Sequence, residues 1–324
     1  MRPGEGRRLG QLCPREYRIL PEIRPGWLKQ KWSSVFGVLW PGSWQSLFPL
    51  FHIGAALLAV VIYSMTHVLY GFLSRIFIPQ YRCPYMVSLT FAQVVVTMLV
   101  LLTLHASGCV TLSPPSLHLA ERLLVPSICD AIQSVLALWA EVNASYGLYP
   151  LLMSLLPLLC VGWTHILGLP SPSKPATLLL ATITFTSITI TGMKGVLMPE
   201  TLGVLYAPLS LLLQSVSLTW LAKAGEAEEG GAGERASLPS VCFGLALNKS
   251  LVLGFLCLLH PDGPRLLSDG SWRSALFLAY LLAQLLLGAL QRLLLAAVAL
   301  RFSPLAAALL TSAYDLARPF SSLL

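Results

Sequence analysis

The chain has 324 residues, of which 56% are hydrophobic and only 11% are charged, and its mean hydropathy is +0.73. Globular chains carry about 25% charged residues, so this chain has too few charges to cover a water-facing surface. Soluble enzymes and disordered proteins are therefore very nearly excluded as classes. The formal charge of +7 does not indicate nucleic acid as a partner, because the basic residues gather near the N-terminus and beside apolar runs, as in membrane proteins.

Residues 1–52 are predicted to form a basic extension on the cytosolic side of a membrane. They contain eight Lys and Arg residues, and positive charge is retained in the cytosol. Within them, residues 32–51 combine aromatic side chains with two prolines. This pattern favours an interfacial segment over a membrane span, because aromatic rings prefer the headgroup level and proline breaks helices.

Apolar runs of about 20 residues are long enough to cross a bilayer as helices. A window of that length predicts an all-α, polytopic membrane helix bundle of about nine spans, which together form one transmembrane domain, residues 53–319. A Gly-rich, Glu-rich stretch at 224–237 is predicted to be a flexible cytosolic linker after the sixth span. The predicted spans are 53–76, 85–105, 124–143, 147–168, 175–193, 200–222, 239–259, 274–300 and 304–319.

The sequence lacks the signatures of common enzymes and metal sites. It has no HExxH, no G-x-S-x-G, no Walker loop and no Asp-rich metal motif. Its seven cysteines are scattered, without CxxC or Cys/His ligand spacing. We therefore predict neither an enzyme, nor a cofactor, nor a metal site, nor a disulfide framework.

Polar side chains recur at helical spacing on four of the predicted spans, so that each set shares one helix face. Because polar faces are costly against lipid, they should turn inward. One such polar face, or stripe, is explained well enough by hydrogen bonds between packed helices. Four stripes on four spans favour a shared cavity, as a transporter needs. The residues predicted to line this cavity are Tyr63, His67, Tyr70, Gln133, Ser134, Gln214, Tyr280 and Gln284.

Charged residues within spans suggest functional sites by default. Lys249, near the middle of the seventh span, is predicted to bind an anion or to pair with Asp130; the structural alternative is that it snorkels to an interface. Arg292, near the cytosolic end of the eighth span, is predicted to bind an anion bidentately or to anchor the helix at the interface. Glu141 is expected at a membrane edge, and His67 is a hydrogen-bonded bundle histidine more often than a proton relay.

Several local sequences resemble nucleotide-sugar transporters of the drug/metabolite transporter superfamily, and in particular the D-type branch of solute carrier family 35. The similar elements are the order of spans, Lys223 at the start of the linker, Tyr81-Arg82-Cys83-Pro84, Gly147-Leu148-Tyr149-Pro150, and Leu300-Arg301-Phe302-Ser303-Pro304-Leu305. The resemblance covers about residues 55–319. It implies ten helices in two inverted repeats in the Golgi or endoplasmic reticulum membrane. It also implies antiport of a nucleotide-sugar against a nucleoside monophosphate by alternating access, and it leaves a homodimer open.

The sequence departs from the family at positions that matter for binding. Met153 and Ser154 stand where many relatives carry a basic pair, and Val241-Cys242-Phe243-Gly244 replaces a Tyr-Asn element. Asp315 stands near the place of a family lysine, and an acid repels a diphosphate. The chain also ends before a tenth span, so the second repeat is expected to be incomplete. These departures predict poor transport or none, and they favour the alternative of a non-transporting regulatory or interaction protein that retains the fold.

Overall fold

The structure is a computed structural model that describes residues 48–80, 86–113, 117–143, 148–193, 201–229, 237–260 and 272–321; structural statements below refer to these residues. They are all-helical, with no β-strand in these ranges. The predicted interfacial segment lies outside them except for residues 48–51. The chain divides into two units. Residues 1–55 form the first, of which 48–55 are described and helical, and residues 56–324 form the second, which contains the site described below.

Eleven helices are described. The shorter ones are α3 (Leu117–Arg122), α5 (Leu148–Met153) and α6 (Leu156–Leu167). The others, each of 18 residues or more, are α1 (Phe48–Gln80), α2 (Met86–Ala106), α4 (Leu124–Asn143), α7 (Lys174–Met193), α8 (Thr201–Glu229), α9 (Leu238–Leu259), α10 (Ala275–Arg301) and α11 (Pro304–Ser321).

Five of the described helices, α1, α2, α8, α9 and α10, are long and apolar enough to cross a membrane. Shorter apolar stretches occupy α4, α5–α6, α7 and α11. The distribution of side chains is the inverse of a soluble protein's. Leu258 is 87% exposed and Met65 is 65% exposed, whereas Gln93 and Gln284 are buried. An apolar outside over a polar inside suits a bilayer as the surrounding solvent, so the prediction of an all-helical membrane bundle is confirmed at this level.

The fourth predicted span is not one continuous helix. It consists of α5 and α6, separated by a turn at residues 154–155. Leu155 is the N-cap of α6, and Pro157 follows within its first turn. Proline has no backbone N–H and its ring clashes with the carbonyl four residues earlier. A helix running through Met153 to Pro157 is therefore interrupted at this point.

Part of the predicted linker is helical. Helix α8 continues to Glu229, which is seven residues beyond the end predicted at 222. The residues Ala224-Gly225-Glu226-Ala227-Glu228-Glu229 include alanine and glutamate, both strong helix formers. Residues 230–236 of the linker lie outside the described residues.

The main core is formed around α8 and α10 by leucines and small residues. Leu156, Leu211 and Leu218 pack there with Ala296 and Ala299 of α10. Alanine allows helix backbones to approach closely. Helices in a membrane associate through such close van der Waals packing, because burial against another helix gives no hydrophobic gain over contact with lipid. Because the helices pack closely, Arg292 of α10 contacts side chains of α2 and α4.

Candidate functional site

A cavity of about 190 Å³, lined by both polar and apolar side chains, lies between the helices. Its wall combines hydroxyl, amide and charged groups with an apolar part formed by Leu138, Met153, Leu156, Leu218 and Leu295. Of the ten residues predicted to bind a substrate, seven line it: Tyr63, His67, Tyr70, Gln133, Ser134, Gln214 and Arg292. The polar faces that the spacing predicted on α1, α4, α8 and α10 are thus brought together at one place.

Lys249 pairs with Asp130 rather than reaching for an interface. Its ammonium group donates to the Asp130 carboxylate and, at 2.7 Å, to the Ser134 hydroxyl. The Lys249 side chain is only 3% exposed. Of the roles left open by the sequence, the structure shows the ion pair, which joins α9 to α4. A buried cation in a membrane protein needs such a partner, because leaving it unpaired would be costly.

Arg292 completes a three-residue charged cluster with Asp130 and Lys249. Its Nη1 donates to the Ser134 hydroxyl at 2.5 Å and lies 3.9 Å from the Asp130 carboxylate. Its Nη2 donates to Gln93 Oε1 at 3.5 Å. The Ser134 hydroxyl accepts from both cations and donates to the backbone carbonyl of Asp130 at 2.5 Å. Arg292 therefore points into the bundle, as a residue that binds an anion there would have to.

Gln93 is a site residue that the predicted stripes missed. It is 1% exposed, lines the cavity, and donates to the Tyr70 hydroxyl at 3.0 Å while accepting from Arg292. Thr90, Gln93 and Thr97 are all buried and follow i, i+3, i+7 spacing on α2, so the helical period could have revealed them.

Gly288 allows α10 to approach Gln93 closely. A Cβ atom at this position would lie 2.6 Å from Gln93 Nε2 and 2.8 Å from its Cδ. Real Cβ atoms essentially never come that close. The glycine in the predicted stripe on α10 is thus a packing requirement that leaves room for the amide of Gln93.

Helix α1 contributes an aromatic and imidazole wall. The rings of Tyr63 and His67 stack with their centroids 6.0 Å apart. The amide of Gln291 donates to His67 Nδ1 at 3.3 Å. His67 is thus hydrogen-bonded within the bundle. On the opposite side of the cavity, Gln133 donates to Gln214 at 3.4 Å, which joins α4 to α8.

Tyr280 and Gln284 are not among the described residues that line this cavity. Tyr280 packs against an apolar cluster that includes Met86 and Phe277. Gln284 is fully buried and donates to the Ser74 hydroxyl at 2.5 Å. The stripe on α10 runs from residue 280 to 291, which is about 16 Å of helix. Its N-terminal half, with Tyr280 and Gln284, packs between helices.

Helix α11 adds Thr311, Ser312 and Asp315 to the cavity wall. Asp315 is the acid that stands near the position of a lysine in the resembled family. The acids Asp130 and Asp315 and the cation Arg292 therefore all contribute to the described wall.

These features define the class of the protein: a helical membrane bundle whose apolar outer surface encloses a polar site with an internal charged cluster. No protein-family profile matches the chain, and no curated protein matches it significantly.

Proposed function

We propose that the chain is a multi-pass transporter of the nucleotide-sugar type. It would exchange a nucleotide-sugar for a nucleoside monophosphate across the Golgi membrane, or alternatively across the endoplasmic reticulum membrane. The observation that carries the proposal is that the guanidinium of Arg292 lies on the wall of a cavity between the helices, beside the polar side chains of Ser134 and Gln93. A guanidinium binds phosphate oxygens in pairs, and solute sites of secondary transporters lie inside the bundle near the midplane.

The charged cluster lies between helices that the resemblance assigns to different repeats. Gln93 on α2 and Asp130 and Ser134 on α4 belong to the first half, whereas Lys249 on α9 and Arg292 on α10 belong to the second. Transporters with internal repeats place their substrate sites at the repeat interface, and alternating access moves one half against the other. The position of the cluster supports this mechanism.

Contacts between loops agree with the predicted alternation of loops, in which an even number of spans separates the loops that touch. With nine spans, residues 106–123 and the linker before α9 fall on the cytosolic side. In agreement, Ser113 N–H donates to Ser240 Oγ at 2.8 Å, and Ser237 Oγ donates to the Thr111 carbonyl at 2.9 Å. Similarly, Lys223 donates to the Leu167 carbonyl at 3.0 Å, which joins two further ends assigned to the cytosol.

The cavity is small for the proposed substrate. Its volume is about 190 Å³, whereas small-molecule sites occupy about 300–1,000 Å³. A nucleotide-sugar would therefore enter only when the helices around the cavity part. Such parting is what alternating access provides.

Thermal unfolding of the purified chain in the presence of UDP-, GDP- and CMP-sugars tests the proposal, because a ligand that binds only the folded state raises the unfolding temperature. Arg292→Lys should weaken a stabilising nucleotide by about 1–2 kcal/mol, the scale of a lost charged hydrogen bond. Arg301→Lys is the matched control, since Arg301 is exposed at the end of the same helix. Equal affinities for the two variants would show that Arg292 is not a ligand.

One observation favours the alternative of a non-transporting regulatory or interaction protein. Asp130 and Lys249 satisfy each other inside the bundle, as a purely structural pair would, and Asp315 adds an acid to the wall. Exchange of labelled nucleotide-sugar in proteoliposomes separates the two functions. A folded chain that binds nucleotides without exchanging them supports the alternative.

A further inference from the structure

Two glutamine side chains on the cavity wall leave most of their hydrogen-bonding capacity unused. Gln133 of α4 and Gln214 of α8 line the cavity, and each is only 8% exposed. A single hydrogen bond of 3.4 Å joins their amides, from Gln133 Nε2 to Gln214 Oε1, and it is longer than the usual length of about 2.9–3.0 Å. Among the described residues, the Gln214 amide nitrogen has no acceptor. Its N–H groups are thus available to a group inside the cavity.

The amide oxygen of Gln133 is available as well. The Ser134 hydroxyl lies 3.5 Å from this oxygen but 2.5 Å from the Asp130 carbonyl. A hydroxyl has a single proton to donate, and the carbonyl receives it because it is the closer acceptor. Buried polar groups are normally hydrogen-bonded. A free donor and a free acceptor on two linked amides beside a cavity therefore indicate a ligand that supplies both missing partners.

Four hydroxyl groups of the cavity wall can only accept hydrogen bonds from a ligand. Each donates its one proton to a backbone carbonyl, at 2.7–3.0 Å, and these hydroxyls belong to Thr90, Ser217, Thr311 and Ser312. Their oxygens keep lone pairs for a group that donates. An oxyanion donates nothing, whereas every hydroxyl group of a ligand both donates and accepts. This wall is therefore matched best by a fragment that carries several hydroxyl groups.

We propose that the Gln133–Gln214 pair binds two neighbouring hydroxyl groups of a sugar ring, with Gln133 Oε1 accepting from one and Gln214 Nε2 donating to the next. This inference rests on the proposed function and names the part of the substrate that the cavity holds. The Ser134 oxygen lies 2.5 Å from Arg292 Nη1 and 3.5 Å from Gln133 Oε1, so the guanidinium and the amide are neighbours. A phosphate bound at Arg292 places the adjoining sugar ring at the amides. The hydroxyl next to the phosphate then falls to Gln133 and the following one to Gln214.

Thermal unfolding of the purified full-length chain, in a detergent without a sugar headgroup, measures ligand affinity because a ligand of the folded state raises the unfolding temperature. The parent probes are the 1-phosphates of glucose, mannose and galactose. Their 2-deoxy and 3-deoxy forms keep the phosphate, and each lacks one of the two hydroxyl groups. The deoxy forms of the parent that binds most tightly should bind at least about tenfold more weakly, because each leaves a buried amide group unpaired.

Substitution of the amides separates a binding role from a structural one. Gln133→Leu should abolish the loss of affinity caused by the 2-deoxy change, and Gln214→Leu the loss caused by the 3-deoxy change, because the amide that reads each hydroxyl is gone. Gln284→Leu is the matched control and should keep both losses, since Gln284 is fully buried and is not among the described residues that line the cavity. The two variants lie on different helices, and the comparison of probes on the unaltered chain needs neither, so one variant that fails to fold leaves the other measurements decisive.

The outcomes distinguish this inference from the proposed function. Sugar 1-phosphates that bind with the expected dependence on both hydroxyl groups, when UDP-, GDP- and CMP-sugars do not bind, would uphold the inference and remove the nucleotide-sugar function. Nucleotide-sugars that bind no more tightly than the same nucleotides without the sugar, or deoxy losses that persist in both glutamine variants, would overturn the inference without contradicting the function. A folded chain that no probe stabilises would overturn both.

Discussion

The contact between Gly288 and Gln93 provides a sharp test of the packing at the charged cluster. In Gly288→Ala, the added methyl group would sit 2.6 Å from Gln93 Nε2. The Gln93 amide is buried and held by Tyr70 and Arg292, so it must move and lose those hydrogen bonds. We therefore expect the substitution to destabilise the fold, although alanine is the better helix former.

The expected magnitude follows from three contributions. Overpacking a filled interior costs about 1–3 kcal/mol, and displacing the hydrogen bonds of the Gln93 amide costs about another 1–2 kcal/mol. Replacing glycine in a helix by alanine returns about 1 kcal/mol. Gly288→Ala should thus lower the free energy of unfolding by about 2 kcal/mol.

Unfolding of the purified variants by titration with a denaturing detergent measures this change. Gly71→Ala is the matched control, because a Cβ atom at Gly71 meets nothing within 4 Å; it should be neutral or stabilising by up to about 1 kcal/mol. Adding Gln93→Ser to Gly288→Ala should relieve the clash and give a coupling energy of about 1–2 kcal/mol. Equal stability of the two alanine variants, or additive effects in the Gln93 cycle, would refute the contact.

Three further predictions concern ion pairing, hydrogen bonding and topology. Lys249→Gln should destabilise the fold by about 3 kcal/mol, because it strands the Asp130 charge, and adding Asp130→Asn should recover most of the loss in the same unfolding assay. Ser74→Ala should cost about 1–3 kcal/mol by leaving the buried Gln284 amide without its acceptor, whereas Ser74→Ala with Gln284→Leu should be nearly neutral. A chain with Cys109, which is exposed, as its single cysteine should react with an impermeant maleimide from the cytosolic side of sealed vesicles; labelling only after permeabilisation would contradict the predicted topology.

Much of the helical arrangement could be predicted because the length of an apolar run is a property of the sequence itself. Helices α2 and α9 begin and end within one residue of the spans predicted at 85–105 and 239–259. The errors arose where local chemistry overrides hydropathy. Pro157 interrupts the fourth span although its neighbours are apolar, and α8 continues to Glu229 because charged residues can be good helix formers.

The site was predictable to the extent that it depends on helix faces. Spacing along one helix identifies which side chains share a face, and this placed Gln133 and Ser134 correctly on the cavity wall. Spacing contains no information about which faces of different helices meet. The sequence therefore offered the Lys249–Asp130 pair only as one of several alternatives, among which the structure decides. The packing of Gln284 against Ser74 emerged only from the structure.

The hydrogen bonds that Arg292 makes across the cavity wall are also those that an anionic ligand would replace. Arg292 on α10 donates to Ser134 on α4 and to Gln93 on α2. An oxyanion bound by the same fork would compete with these donors and weaken a link between the two groups of helices. A ligand shifts a conformational equilibrium only by its difference in affinity for the two states. An anion that gains more from Arg292 when the helices move apart than when Arg292 donates to Ser134 and Gln93 would thus favour that movement.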